Sequence, residues 1–249
     1  MLRLLRADFG RLKRGAALPL FLLGMLLVAA AMMVMQATAM DYTVPLSRVV
    51  FLPLSFYGIA AAAFVSVFAG TDFSDGFIRN KLIVARRRRD AALSLIAACC
   101  AACMGVYALI ALLTLGIGGA FFENDVTATA FLGYFLLGLG MSASVACLFC
   151  SVALLCADRV RAVLWCMGAA FAMLFLCLHT HQTMVHAEAA DGLRRGIYGA
   201  LHDLNPCGQA AQLSAWHVWN PLRAALCDLV WIAGLPALSC VLFERKDIR

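Results

Sequence analysis

Polar positions in this chain are confined to a few short stretches, and the sequence between them is almost unbroken apolar residues. Six such runs lie at about 16–37, 49–70, 91–119, 128–157, 162–180 and 223–243. A helix needs ~20 residues to cross ~30 Å of hydrocarbon, and every run is about that long or longer. The third and fourth exceed it and are expected to tilt or protrude. The pattern predicts an all-α polytopic membrane protein of six transmembrane helices, a single domain over 1–249. Pro53 and Pro236 interrupt the second and sixth runs and are expected to kink them. Ala60, Ala63, Gly133, Gly138 and Gly140 are placed to let helices approach closely in lipid. Ala37-Thr38-Ala39 has the form of a signal-peptide cleavage site. The apolar stretch before it is longer than the roughly 7–15 residues of a signal h-region, so the first run is read as a retained span.

Composition sharpens this. The chain is 64% apolar and 14% charged, with a mean hydropathy of +0.89. Ordinary globular chains hold about 45–50% apolar and about 25% charged residues. This balance cannot make a water-soluble surface, so the bilayer is the solvent. Disorder, collagen and coiled coil are excluded with it.

A net charge of +6 on a soluble chain points to nucleic acid; here it is read by position, and nucleic acid is not an expected partner. Basic residues gather at the start (Arg3, Arg6, Arg11, Lys13, Arg14), in the second connection (Arg79, Lys81, Arg86 to Arg89), in the fourth (Arg159, Arg161) and in the tail (Arg245, Lys246, Arg249). That places 16 on one side, against Arg48, Arg194, Arg195 and Arg223 on the other. The positive-inside rule then puts both termini in the cytoplasm of a multi-pass plasma-membrane protein. Ten of the 11 cysteines lie in or at the edges of apolar runs, where they read as small buried hydrophobes. Cys99-Cys100-x-x-Cys103 and Cys147-x-x-Cys150 each share a helix face and lack a nearby base, which also favours packing.

Three polar segments carry more. In residues 1–15, Leu2, Leu5, Phe9, Leu12 and Ala16 fall within about 80° of helical arc, which predicts an amphipathic elbow helix at the inner interface. The second connection, 71–90, holds Phe73, Phe77, Ile78, Leu82 and Ile83 at helical spacing. Asp72, Ser74 and Asp75 suit its N-cap or first turn. This segment reads either as a helix that docks a cytoplasmic partner or as a basic loop attracting anionic headgroups. The fifth connection, 181–222, is too long for a turn. Leu193, Ile197, Leu201 and Leu204 predict one helix there. Asn205 followed by Pro206 predicts the capped start of a second. Trp216 and Trp219 mark the outer interface.

The order Gly70-x-Asp-Phe-Ser-Asp-Gly-x-Ile-Arg-Asn-Lys-Leu82 after a second span resembles the cytoplasmic coupling segment of ATP-binding-cassette (ABC) transporter permeases of the exporter type (type 2), a class found in peptide-antibiotic export and immunity systems. Phe243-Glu-Arg-Lys-Asp-Ile-Arg249 is similar to that family's basic tail, and Asn205-Pro206 to its outer connection. The layout resembles the family over the whole chain. One departure is Val84-Ala85 and four arginines where the family often has a Gly-containing step and one Arg. The resemblance implies ATPase coupling through Asp72, Phe73, Asp75, Gly76, Phe77, Ile78, Arg79, Asn80, Lys81 and Leu82. It also implies two copies of a separate ABC ATPase subunit, a second permease copy or homologous permease, and no cofactor on this chain.

Other chemistry is sparse. No lysine follows a glycine, so the phosphate-binding loop Gly-x-x-x-x-Gly-Lys-Ser/Thr is absent and any ATP-driven step belongs to another chain. Gly140-Met-Ser142-Ala143 has the look of an intramembrane protease serine, but the last span offers no histidine as base. Asp228 is an acid within the sixth run, a candidate intramembrane polar site, although Arg223 stands only ~8 Å away along a helix. All five histidines fall in or beside the outer connection. His179, His181 and His186 form the alternative reading, a membrane metal-handling protein or enzyme. Two residues apart, His179 and His181 can share an ion only where the chain leaves helical geometry.

Overall fold

The computed structural model describes residues 2–39, 43–84, 87–156, 158–186 and 192–245, of which 89% are helical with no strand among them. Six segments are long and apolar enough to cross a membrane. They are α2 (Ala17–Ala39), a composite second span (Ser47–Ser74), α6 (Arg88–Phe121), α7 (Ala128–Leu155), α8 (Arg159–His186) and α11 (Pro221–Arg245). The remaining helices are α1 (Leu2–Arg14), α5 (Phe77–Val84), α9 (Gly192–Leu204) and α10 (Pro206–Ser214). One end of the bundle carries α1 and α5 and is called the basic end; α9 and α10 cover the opposite end.

Pro53 does more than kink the second span. The span is divided into α3 (Ser47–Val50), a 3-10 stretch Leu52–Phe56 that Pro53 opens, and α4 (Tyr57–Ser74). A proline has no N–H to continue the α ladder, so the tighter turn replaces it. Thr114 of α6 donates to the Val50 carbonyl at 2.7 Å beside the break. Asp125 caps α3 from the far loop, taking the Ser47 N–H at 2.9 Å and its hydroxyl at 2.6 Å. Pro236 lies inside a continuous α11.

The second span, α6 and α7 form the centre, with 67%, 56% and 61% of their apolar windows buried; α2, α8 and α11 surround them at 17–22%. Apolar side chains on the outer helices cost nothing in lipid, so exposure there is the expected state. Close approach follows the small residues. A Cβ on Gly138 would fall 2.1 Å from the Tyr107 hydroxyl, and one on Gly70 would fall 2.9 Å from the Arg159 Cα. Gly133 has no neighbour within 4 Å of an added Cβ and does not serve the packing role expected of it.

At the opposite end Asn205 caps α10, accepting the Cys207 N–H at 3.0 Å with Pro206 in the first turn, as the sequence predicts. Its amide also donates to the Met173 carbonyl of α8 at 2.7 Å. The Leu193, Ile197, Leu201 and Leu204 stripe of α9 faces outward, while Gly199, His202 and Asp203 face the protein. An inverted helix of this kind suits a position in lipid at the interface. Trp216 takes a left-handed φ of 52°, which costs a non-glycine residue about 1–2 kcal/mol. Its ring meets Phe51 at 5.6 Å and Tyr134 at 4.8 Å, contacts worth about 0.5–1.5 kcal/mol each, which offset that cost.

Candidate functional site

The basic end concentrates charge where little water reaches. α4 runs four residues past the apolar run, so Asp72 and Ser74 lie in its last turn and not at the start of the following helix. This corrects their expected N-cap role, because Phe73 and its neighbours continue the helical ladder. The ladder stops at Gly76, whose φ of 71° is the left-handed turn that ends helices. The chain reverses there and α5 begins at Phe77.

The reversal lays α5 back towards α4. Lys81 lies between two carboxylates, pairing with Asp8 of α1 and lying 2.5 Å from Asp72 Oδ2. Arg11 of α1 pairs with the other oxygen of Asp72, and also donates to the Phe68 carbonyl at 3.1 Å. Its guanidinium stacks 4.2 Å from the Phe68 ring centroid. Ser94 of α6 donates to Asp8 Oδ2 at 2.8 Å. Both carboxylates are fully buried, while the side chains of Lys81 and Arg11 are 10% and 19% exposed. Two acids facing two bases make a neutral cluster joining four elements: α1, α4, α5 and α6. Burial pulls the Arg11 guanidinium and the Lys81 ammonium below their ordinary values, with Asp8 the strongest opposing influence on each. Buried charges persist only when paired in this way.

The residues of 72–82 divide by role. Asp72 and Lys81 belong to the cluster. Ile78 is buried and Phe73 half-buried against the core, so these two anchor the segment. Asp75 and Phe77 are exposed, with Phe77 5.8 Å from the Arg11 guanidinium. Ile83 is 82% exposed and does not share the anchoring face expected for it. Arg79, Asn80 and Leu82 lie within α5, and their side chains fall outside the described residues. Of the arginine run, Arg87 precedes α6, and Arg89 reaches Glu244 of α11 at 2.8 Å.

Sequence reasoning missed Asp8 and Ser94. Asp8 is the only acid in residues 1–15, and it sits four residues from both Leu4 and Leu12. That spacing puts it in the middle of the buried stripe, and it is the signal that was available.

Asp228 is 3% exposed within α11 and accepts from Ser144 of α7 at 2.7 Å. A Cβ on Gly140 would lie 2.8 Å from Asp228 Oδ2, so the glycine makes room for the acid. Farther along the same seam Ser151 and Ser239 are 3.0 Å apart. Arg223 does not neutralise Asp228. It pairs with Asp203, which also accepts from Gln212 at 2.6 Å.

The shared histidine site needs the chain to leave helical geometry after His179, and α8 instead continues to His186. No group of three potential ligands gathers among the described residues; the His186 side chain lies outside them. His181 stacks on Trp219 at 6.4 Å. The buried His202 lies 2.9 Å from the Thr180 hydroxyl and 5.3 Å from the Trp219 ring. Cys207 is pushed up to about 12 by burial and is a protonated packing residue. Comparison with protein-family models and with curated proteins finds no match for this chain.

Proposed function

We propose that the protein is the membrane-spanning permease subunit of an ABC exporter, placed in the plasma membrane with both termini cytoplasmic. It works with a second permease, its own copy or a similar chain, and two separate ATPase subunits supply the energy. The observation that carries this reading is the neutral cluster holding α5 to α4 and α1. A short helix outside the spans, fixed to the end of a central span by paired buried charges, passes a push on its exposed side into the bundle. Exposed Asp75, beside the turn into α5, gives a docking protein that side to press on. Residues 1–249 contain no Gly-x-x-x-x-Gly-Lys-Ser/Thr loop, which supports a reading in which nucleotide binds outside this segment.

The test is co-expression with a candidate ATPase. The complex is expected to hydrolyse ATP and export, the purified chain alone to bind no nucleotide, and Phe77→Ala/Ile78→Ala to keep ATPase activity while losing export. Nucleotide binding by this chain alone contradicts the reading. Reporter fusions check sidedness: positions 45, 125 and 195 are expected outside, and 85, 160 and 249 inside. A fusion at 195 that reads inside removes the orientation.

A further inference from the structure

A cavity of about 580 Å³ opens between α1 and α5 at the basic end. One wall is a single face of α1, on which Arg3, Ala7, Gly10 and Arg14 fall within about 60° of helical arc. Ala7 and Gly10 make a low floor, and an arginine stands at each end of it. Phe77 and Lys81 of α5 form the facing wall. The charge here is not spent. Arg11 and Lys81 are committed to Asp8 and Asp72. Arg3 and Arg14 are exposed and have no acidic partner among the described residues. Asp8 also lines the groove but is paired with Lys81, so the groove's unpaired charge is that of Arg3 and Arg14, and it sits where α1 enters the first span.

We propose that this groove binds the phosphate-bearing headgroup of an anionic phospholipid from the leaflet at the basic end. Arg3 and Arg14 bracket the headgroup, and Phe77 packs against its glycerol end. A guanidinium suits a phosphate because its fork of N–H donors matches two phosphate oxygens. Basic residues at this depth face anionic headgroups directly. The bound lipid bridges α1 and α5, so membrane composition sets how firmly α5 is held.

The test is native mass spectrometry of the purified full chain titrated with phosphatidylglycerol or phosphatidylcholine. It uses no ATPase, so its result is independent of the transport reading. Phosphatidylglycerol is expected to be retained in preference. Arg3→Gln/Arg14→Gln is expected to weaken retention roughly 25-fold, each basic contact being worth about a factor of five. Arg3→Lys/Arg14→Lys keeps the charge but loses the fork, and is expected to fall between the wild type and the glutamine variant. Arg6→Gln/Lys13→Gln removes the same charge outside the groove and is expected to leave retention unchanged. Equal retention of the two lipids overturns the proposal. Equal loss in the Arg6/Lys13 variant also overturns it, by showing only general surface charge. Displacement by millimolar inorganic phosphate overturns it in favour of a free anion.

Discussion

Lys81 Nζ lies 2.5 Å from Asp72 Oδ2, nine residues back along the chain and across the left-handed turn at Gly76. The two residues belong to different helices, and only the reversal at Gly76 brings them together. Asp8 and Arg11 close the cluster from a third helix. Its charges balance only as a set, so losing one member affects the other three.

Lys81→Met leaves Asp8 and Asp72 buried with Arg11 as their only base among the described residues. Removing one partner of a buried pair costs about 3–5 kcal/mol. A loss of that order is expected in thermal unfolding followed in detergent. Asp72→Asn/Lys81→Met restores charge balance, and its cost is expected to fall short of the sum of the single costs by about 1 kcal/mol or more. Additive single effects count against the cluster.

Two glycines of the same segment are expected to fail for different reasons. Gly76 has open space where a Cβ would go, so Gly76→Ala suffers only from φ, at about 1–2 kcal/mol. Gly76→Asn recovers part of that, since asparagine tolerates the left-handed region. At Gly70 a Cβ meets the Arg159 backbone, which cannot swing aside. Gly70→Ala is expected to cost about 1–3 kcal/mol by overpacking, with no relief from asparagine. Comparing the melting temperatures of the Ala and Asn variants at each site separates strain from collision.

The spans and the Asn205-Pro206 cap were legible because each depends on local signals: run length, and a capping side chain beside its helix. Asp8 was not legible as a cluster member. Its partner Lys81 is supplied by a turn and a helix reversal about seventy residues on, and periodicity carries no information about that distance. The α9 stripe was read correctly as helical, but its direction was undetermined. In lipid an apolar face turns outward as readily as inward. The continuation of α4 to Ser74 was hidden for a related reason. Asp72 looks like a span-ending polar residue until a buried lysine pairs with it.

The seam between α7 and α11 gives a steric prediction. Gly140→Ala places a methyl group 2.8 Å from Asp228 Oδ2, so the Ser144 bond must lengthen or the helices must part. A loss of about 1–3 kcal/mol is expected. Asp228→Ala removes the obstructing oxygen, and Gly140→Ala/Asp228→Ala is expected to be more stable than the sum of the two losses implies. Strict additivity in unfolding free energy would show that the two positions do not touch.

The opposite end is expected to loosen in acid. Burial lowers the His202 imidazole below its ordinary value of 6.5, and the charge of His181 lowers it further. Asp203 opposes both, but it is already engaged by Arg223. The folded chain therefore binds this proton less readily than the unfolded chain does. Stability is unaffected well above pH 6.5, falls as pH drops through that value, and stops falling below the lowered folded value. His202 packs on Trp219, so intrinsic fluorescence reports the event. Between pH 7.5 and 5, the wild-type melting temperature is expected to fall further than that of His202→Gln, which has nothing to protonate there. His181→Gln removes the second positive charge and is expected to show an intermediate fall. A wild-type curve parallel to that of His202→Gln across the range would place the acid response elsewhere in the chain.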